Sequence, residues 1–125
     1  MTKYCIDTSV WIAYFRGEIV ARAIIEEQTL VTSALALVEV ADKYETAARN
    51  SEIPALLKFI TANAEIIPVT IEISLAAAVI KKRERKLKPK FGIIDAVHIA
   101  TAGQEEAVFV TRDNDFRAMS HCKII

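Results

Sequence analysis

The sequence KYCIDTSVWIAYF occupies residues 3–15 of a chain of 125 residues. Its first four residues, KYCI, predict a short buried strand, and the apolar run TSVWIAYF predicts a helix directly after it. Asp7, Thr8 and Ser9 stand at the junction, where a short polar side chain can cap the helix by accepting a hydrogen bond from a free backbone N–H group. The stretch therefore predicts a strand whose carboxyl end passes straight into a helix.

The rest of the chain continues this alternation. Short apolar strands are predicted at TLVT, EIIPV, AVFVT and CKII. A second helix is predicted after Gly17 and ends at about residue 27. Further helices are predicted at SALALVEVADKYETAAR, which starts at Ser33, at residues 54–63, at TIEISLAAAVIKKRERK, which starts at Thr70, and at AVHIATA, which follows Asp95. Continuously apolar strands separated by helices indicate a mainly parallel sheet that is covered on both sides. We therefore expect a three-layer α/β/α sandwich that forms one domain over residues 1–125.

Composition and charge argue against several classes of protein. The sequence is 53% hydrophobic and 26% charged with zero net charge, which is typical of a globular protein and not of one that coats nucleic acid through its overall charge. No stretch approaches the ~20 apolar residues that span a bilayer, and no signal peptide is evident, so we expect no membrane association and a cytoplasmic location. Cys5 and Cys122 lack the spacing of a metal-ligand pair, and we interpret both as core residues in a reducing compartment.

Four acidic residues recur where an apolar stretch ends or is interrupted. They are Asp7, Glu39, Asp95 and Asp113. Asp7 and Asp113 both follow predicted strands, so they belong to the edge of a parallel sheet where ligands bind. If the fold gathers all four, each carboxylate opposes the ionisation of the others, and a divalent cation is needed to compensate the repulsion at neutral pH. A cation held by oxygen ligands indicates phosphate chemistry.

Each acid also has a simpler explanation. Asp7 and Asp95 can be helix caps, and Asp113 fits a turn in TRDND. Glu39 precedes Lys43 by four residues, which is the spacing of a surface ion pair. The residues that flank Glu39 are apolar right around the helix, however, so we expect this carboxylate to be buried and to need a partner.

His98 lies one turn after Asp95 and can share its face of the helix. A single histidine on an apolar helix, without a second histidine or a cysteine at ligand spacing, is more often a satisfied core residue than a metal ligand. We therefore interpret His98 as part of the core and leave it out of the predicted site.

A basic segment precedes Asp95. Residues 81–90, KKRERKLKPK, contain seven of the sixteen Lys and Arg residues of the chain. Cations favour the last turn of a helix because of the helix dipole, which accounts for two or three of them. The alternative is a patch that contacts phosphates, and the sequence leaves both interpretations open.

Four segments together resemble the PIN domain, a nuclease fold found in VapC toxins of toxin–antitoxin pairs and in RNA-processing factors. The opening strand runs into DTSV, Glu39 follows the capping Ser33 by six residues, DAVHIATA forms a helix, and TRDNDF closes the chain. The resemblance covers essentially the whole chain. It implies hydrolysis of phosphodiester bonds in RNA with Mg²⁺ or Mn²⁺, a homodimer, and, for the toxin branch, a small antitoxin protein as partner.

The resemblance also implies roles for individual residues. It makes Asp7, Glu39, Asp95 and Asp113 the catalytic and metal-binding acids. Asp115 matches the second acid of the closing motif and is the weaker candidate for the fourth position. Two hydroxyl residues match positions that orient the cluster. Independently of the resemblance, five residues of the basic segment are candidates for RNA contacts. These are Ser9 and Thr111, and Lys81, Lys82, Arg85, Lys86 and Lys88.

Two other functions are alternatives to a PIN-like ribonuclease. Phosphoacceptor receiver domains are also α/β and keep an aspartate at a strand end. Their usual pattern has paired acids after the first strand and a lysine after the last, whereas this chain has DTS after its first strand and TRDND near its end. The second alternative is a PIN-like protein that processes RNA in another role or binds a partner without catalysis.

Overall fold

The first strand lies at the centre of the sheet, and the chain builds outward from it in both directions. A computed structural model describes residues 2–125. Five strands form one sheet in the order β3-β2-β1-β4-β5. Their bounds are β1 Lys3–Ile6, β2 Thr29–Ser33, β3 Glu65–Ile67, β4 Val108–Thr111 and β5 Cys122–Ile124. Every pairing between these strands is parallel, which confirms the predicted parallel sheet.

Six helices connect the strands. They are α1 Thr8–Phe15, α2 Ile19–Glu27, α3 Ala34–Thr46, α4 Ile53–Asn63, α5 Ile71–Glu84 and α6 Ile93–Gln104. Two 3₁₀ turns, Asn50–Glu52 and Asn114–Phe116, complete the described elements. The chain adds β2 and β3 on one side of β1 and then crosses to add β4 and β5 on the other. This reversal of strand order between β1 and β4 creates a crevice at the carboxyl ends of the strands.

Two apolar clusters cover the two faces of the sheet. One contains Ile6, Trp11 and Val40, and the other contains Cys5 and Phe109. Ile6 and Cys5 are neighbours in β1 and point to opposite faces, as successive residues of a strand do. The clusters confirm the three-layer α/β/α sandwich. Both cysteines are free, and burial raises the pKa of the Cys5 thiol to about 12, so it stays protonated in the core.

Two local expectations were wrong. Helix α6 begins at Ile93 with Gly92 as its N-cap, so Asp95 occupies the third helical position and is not the cap. Helix α3 is not buried on nearly every side, because Val38 is 63% exposed and the Glu39 side chain is 34% exposed. Glu39 therefore lies at the border between core and solvent.

Among residues 2–125, no helix has the length and apolar character that crossing a membrane requires.

Candidate metal centre

Asp7 directly follows β1 and caps α1. Its Oδ1 accepts from the Thr8 backbone N–H at 2.8 Å, and its Oδ2 accepts from the hydroxyls of Ser9 at 2.8 Å and Thr111 at 2.7 Å. Thr111 belongs to β4, so these bonds join the carboxyl ends of two neighbouring strands. Both hydroxyl residues expected to orient the acidic cluster thus contact the same carboxylate oxygen.

Glu39 reaches the same crevice from α3. The helix begins at Ser33, whose hydroxyl accepts from the Leu35 backbone N–H at 3.1 Å. Oε1 of Glu39 accepts from the Thr8 hydroxyl at 2.7 Å and lies 2.7 Å from Nε2 of His98. The alternative ion pair with Lys43 does not form within residues 2–125, where Glu39 pairs with His98 instead.

His98 completes the group from α6. Its Nε2 also lies 3.8 Å from Oδ1 of Asp7. Asp7, Glu39 and His98 each offer one ligand atom, and these atoms lie within 4.8 Å of one another. His98 is buried, as the core interpretation expected, but its polar edge faces two predicted site residues. Its spacing of three residues from Asp95 was the only sequence signal for this position.

Asp95 is half-buried near the start of α6. Its Oδ2 accepts from the Gly92 backbone N–H at 2.9 Å, which satisfies one of the free donors of the helix. Burial raises the pKa of Asp95, and the negative charges of Asp7 and Asp113 raise it further, while the Gly92 bond and His98 act in the opposite direction. Three predicted acids therefore lie close enough to oppose ionisation of one another.

Asp113 and Asp115 occupy the turn after β4. Oδ1 of Asp113 accepts from the Asp115 backbone N–H at 2.9 Å, and the Asp113 backbone N–H donates to the Thr111 hydroxyl at 3.1 Å. Both side chains are exposed, and neither belongs to the close group that contains Asp7. Besides burial, the charge of Asp113 raises the pKa of Asp95, which favours Asp113 as an acid of the crevice.

Glu39 and His98 stabilise each other's charged forms. Burial raises the pKa of Glu39, but the hydrogen bonds from His98 and Thr8 and the charges of His98 and Lys43 outweigh it, so the pKa is lowered. Burial lowers the pKa of His98, but the bond to Glu39 and the nearby carboxylates outweigh that effect and raise it. Glu39 is consequently ionised over the neutral pH range.

The residues present fit a divalent cation. Within residues 2–125, none of the four predicted acids forms an ion pair with a lysine or an arginine. Arg112, which directly precedes Asp113 in the sequence, pairs with Glu18. Carboxylates that crowd together without lysine or arginine partners retain negative charge that attracts a metal ion, and oxygen donors suit Mg²⁺ and Mn²⁺.

The model of the PIN domain family matches residues 4–121 of this sequence. The chain belongs to the PIN domain family. This confirms the resemblance drawn from the four motifs and sets aside the receiver-like alternative. No protein in the comparison with curated proteins matches the sequence.

Solved structures share the fold of this PIN domain. A DNA-bound VapBC from Salmonella typhimurium aligns with a TM-score of 0.79 and 18% identity, covering 100% of this chain and 98% of that one. A toxin–antitoxin complex from Klebsiella pneumoniae gives 0.77 and 20%, covering 96% and 95%. VapC20 from Mycobacterium tuberculosis, described as a sarcin-ricin loop cleaving toxin, gives 0.76 and 17%, covering 94% and 95%. These likenesses confirm the predicted fold.

We expect Asp95→Asn to raise the melting temperature in the presence of a chelator. The folded-state pKa of Asp95 is raised, so its ionisation weakens the native state once the pH exceeds the pKa of the unfolded chain. The amide oxygen of asparagine can still accept from Gly92. A rise of a few degrees is expected, since about 1 kcal/mol shifts the melting temperature of a domain of this size by roughly 3–5 °C.

Thermal unfolding followed by circular dichroism in EDTA checks this expectation. The gain should disappear near pH 3, where the wild-type carboxyl is already protonated. Asp7→Asn should bring no gain, because Asp7 receives three hydrogen bonds that a carboxylate satisfies better than an amide. Asp42→Asn, at an exposed position of α3, is the control. A lower melting temperature for Asp95→Asn would show that the helix cap outweighs the repulsion.

Proposed function

We propose that this PIN domain is a metal-dependent endoribonuclease that hydrolyses phosphodiester bonds in RNA and acts as the toxin of a VapBC-type pair. The observation that carries the proposal is the convergence of Asp7 and Glu39, with Asp95 and Asp113 nearby, at the strand reversal of a PIN fold. The similar solved structures include a VapBC and a toxin–antitoxin complex, which supports the toxin assignment and a small antitoxin as partner. A PIN protein that processes RNA in another role is the second candidate.

Mg²⁺ or Mn²⁺ is the proposed cofactor. When bound, such an ion lowers the pKa of a water molecule and neutralises charge on the phosphate. Asp7 and Asp95 are the proposed central ligands, and Glu39 and Asp113 complete the acidic set. Ser9 and Thr111 keep Asp7 in place through its Oδ2. No side chain needs to act as the nucleophile.

We expect Asp7→Asn and Asp95→Asn each to reduce metal-dependent RNA cleavage by more than about 100-fold. Removal of a group that only orients a metal ligand typically reduces activity by up to about 100-fold, and removal of a ligand itself should reduce it further. The measurement is the cleavage rate of a mixed RNA substrate in Mg²⁺ or Mn²⁺, with a chelator as blank. Asp42→Asn should cleave like the wild type.

Asp113→Asn and Asp115→Asn extend the same measurement to the closing motif, and the larger loss is expected for Asp113. Circular dichroism verifies that each variant is folded. Unchanged cleavage by folded Asp7→Asn and Asp95→Asn would remove the nuclease proposal and favour a binding role.

The basic segment, residues 81–90, is proposed to contact RNA phosphates. Glu84 forms ion pairs with Arg83 at 3.0 Å and with Lys88 at 2.8 Å, and the Lys88 ammonium lies over the Phe91 ring. Arg85 donates to the Pro89 carbonyl at 2.8 Å. These contacts use part of the positive charge to order the segment. Lys81, Lys82 and Lys86 form no ion pair within residues 2–125, and the segment leads directly into α6 with Asp95.

The double variant Lys82→Glu/Lys86→Glu should weaken RNA binding and flatten its salt dependence. Each lost phosphate contact with a single strand lowers the slope of log K against log salt by about 0.7, so two contacts account for about 1.4. The measurement is fluorescence anisotropy with labelled RNA at several salt concentrations, in the Asp95→Asn background to prevent cleavage.

Lys58→Glu/Lys123→Glu is the matched control, since it changes the net charge equally at exposed positions outside the segment. Equal weakening by both double variants would show a general charge effect and no site on the basic segment.

A homodimer is proposed to form through α5. Ile71, Leu75 and Val79 recur every four residues and are 76%, 67% and 65% exposed, so they form an apolar stripe along the helix. Glu72 lies near the start of α5, and Lys81, Lys82 and Arg83 lie in its last turn. Antiparallel pairing of two copies of α5 buries both stripes and sets the acidic start of each helix beside the basic end of the other.

We expect Leu75→Glu to convert the dimer to a monomer, because it places a charge in the middle of the apolar stripe. The measurement is the molar mass by size-exclusion chromatography with light scattering at several concentrations. Ile19→Glu is the control, since it makes the same kind of change at a 78% exposed apolar residue on α2. A monomeric wild type, or a Leu75→Glu variant that remains dimeric, would contradict the interface.

A further inference from the structure

His98 is buried between the candidate metal ligands and the sheet. The residue is 1% exposed, and its ring stacks on Phe109 with 6.0 Å between centroids and 24° between planes. Nε2 faces the carboxylates, 2.7 Å from Oε1 of Glu39 and 3.8 Å from Oδ1 of Asp7. An imidazole in this position can act on a metal centre in two ways, as a ligand or as a hydrogen-bond donor to a ligand.

The hydrogen bonds of the ring identify the nitrogen that carries hydrogen. Nδ1 is buried and has no hydrogen-bond partner among residues 2–125. A neutral ring with its hydrogen on Nδ1 would bury a donor without an acceptor and would set the Nε2 lone pair against a carboxylate oxygen at 2.7 Å. A neutral ring with its hydrogen on Nε2 donates to that oxygen and leaves Nδ1 without hydrogen, so it buries no donor without an acceptor. His98 is therefore a donor to Glu39.

The surroundings of Nδ1 also argue against a ligand role. A histidine that binds a metal through one ring nitrogen normally donates the N–H of the other nitrogen to a carboxylate, a carbonyl or water. No protein acceptor for Nδ1–H exists in the described part of the chain. Binding a metal through Nε2 would move the hydrogen to Nδ1 and leave it without a protein partner.

Thr8 and His98 act on the same oxygen. The Thr8 hydroxyl donates to Oε1 of Glu39 at 2.7 Å, the distance that also separates Oε1 from Nε2 of His98. Two donors that approach one oxygen from different helices fix the orientation of the carboxylate group. Oε2 of Glu39 has no hydrogen-bond partner within residues 2–125, so it keeps its lone pairs for a cation.

We infer that His98 is a positioning residue of the metal centre, which donates from Nε2 to Oε1 of Glu39 and, together with Thr8, orients Oε2 toward the ion. This inference rests on the proposed function and adds a residue that acts on the metal only through Glu39. Loss of such a partner typically reduces metal affinity 10–100-fold. A ligand role has a different signature, because imidazole nitrogen suits Mn²⁺ better than Mg²⁺.

The experiment measures the affinities of the full chain for Mg²⁺ and Mn²⁺ by isothermal titration calorimetry. His98→Phe keeps a ring against Phe109 and removes the donor, while His98→Gln keeps an N–H donor of similar reach. We expect His98→Phe to lose about 10–100-fold in affinity for both ions in parallel, and His98→Gln to recover most of the loss. Thr8→Val removes the second donor and should also weaken both ions in parallel.

The possible outcomes separate the interpretations. A greater loss for Mn²⁺ than for Mg²⁺ in His98→Phe, without recovery in His98→Gln, would identify His98 as a ligand and overturn the inference. Unchanged affinities in folded His98→Phe would overturn it in favour of a purely structural role. If His98→Phe does not fold, unchanged affinities in Thr8→Val would count against the positioning of Oε1.

Failure of the proposed function has its own signature. In that case the wild type binds neither ion, or Asp7→Asn and Glu39→Gln bind both ions as the wild type does. Either result would overturn the inference together with the proposed metal centre. If the wild type binds and Asp7→Asn does not, the metal centre stands and the His98 variants alone decide the inference.

Discussion

The arrangement of the site depends on the carboxylate of Asp7. The Asp7 backbone N–H donates to the Val110 carbonyl at 3.0 Å, and Oδ2 accepts from the hydroxyl of Thr111 in the same strand. Oδ1 caps α1 and ties the direction of that helix to the end of β1. One residue thereby joins two neighbouring strands and the first helix at the point where the strand order reverses. Because β1 and β4 are joined there, Asp113 emerges from β4 close enough to act on Asp95.

Hydroxyl groups hold these carboxylates, with His98 as a further partner of Glu39, where a lysine or an arginine would be the stronger partner. Ser9 and Thr111 donate to Asp7, and Thr8 donates to Glu39. A hydroxyl fixes the position of an oxygen and leaves the carboxylate its full charge. A lysine or arginine at the same distance would also fix the oxygen, but it would neutralise the charge that attracts a cation. The fold therefore keeps the repulsion that adds to burial in raising the pKa of Asp95.

The fold could be predicted from local signals, and the site only in part. Ser33 was predictable as a cap because a short polar residue before an apolar run leaves few alternatives, and it caps α3. Asp95 misled the prediction because Gly92, which has no side chain, is the N-cap and Asp95 reaches back to it. The contact between Glu39 and His98 spans 59 positions. Spacing within a helix shows which of its residues share a face. It does not show which residues of another helix will contact that face.

The two sides of the crevice differ in their access to solvent. His98 is buried, so its bond to Glu39 lies on the dry side, where weak screening by solvent strengthens a polar contact. The Glu39 side chain is 34% exposed, and Asp113 is exposed as well. The open side of the crevice therefore carries Glu39 and Asp113, and residues 81–90 precede α6 with Asp95 in the chain. In the proposed function, the positive charge of residues 81–90 draws a nucleic acid toward the crevice without neutralising the carboxylates, which remain free to bind a cation.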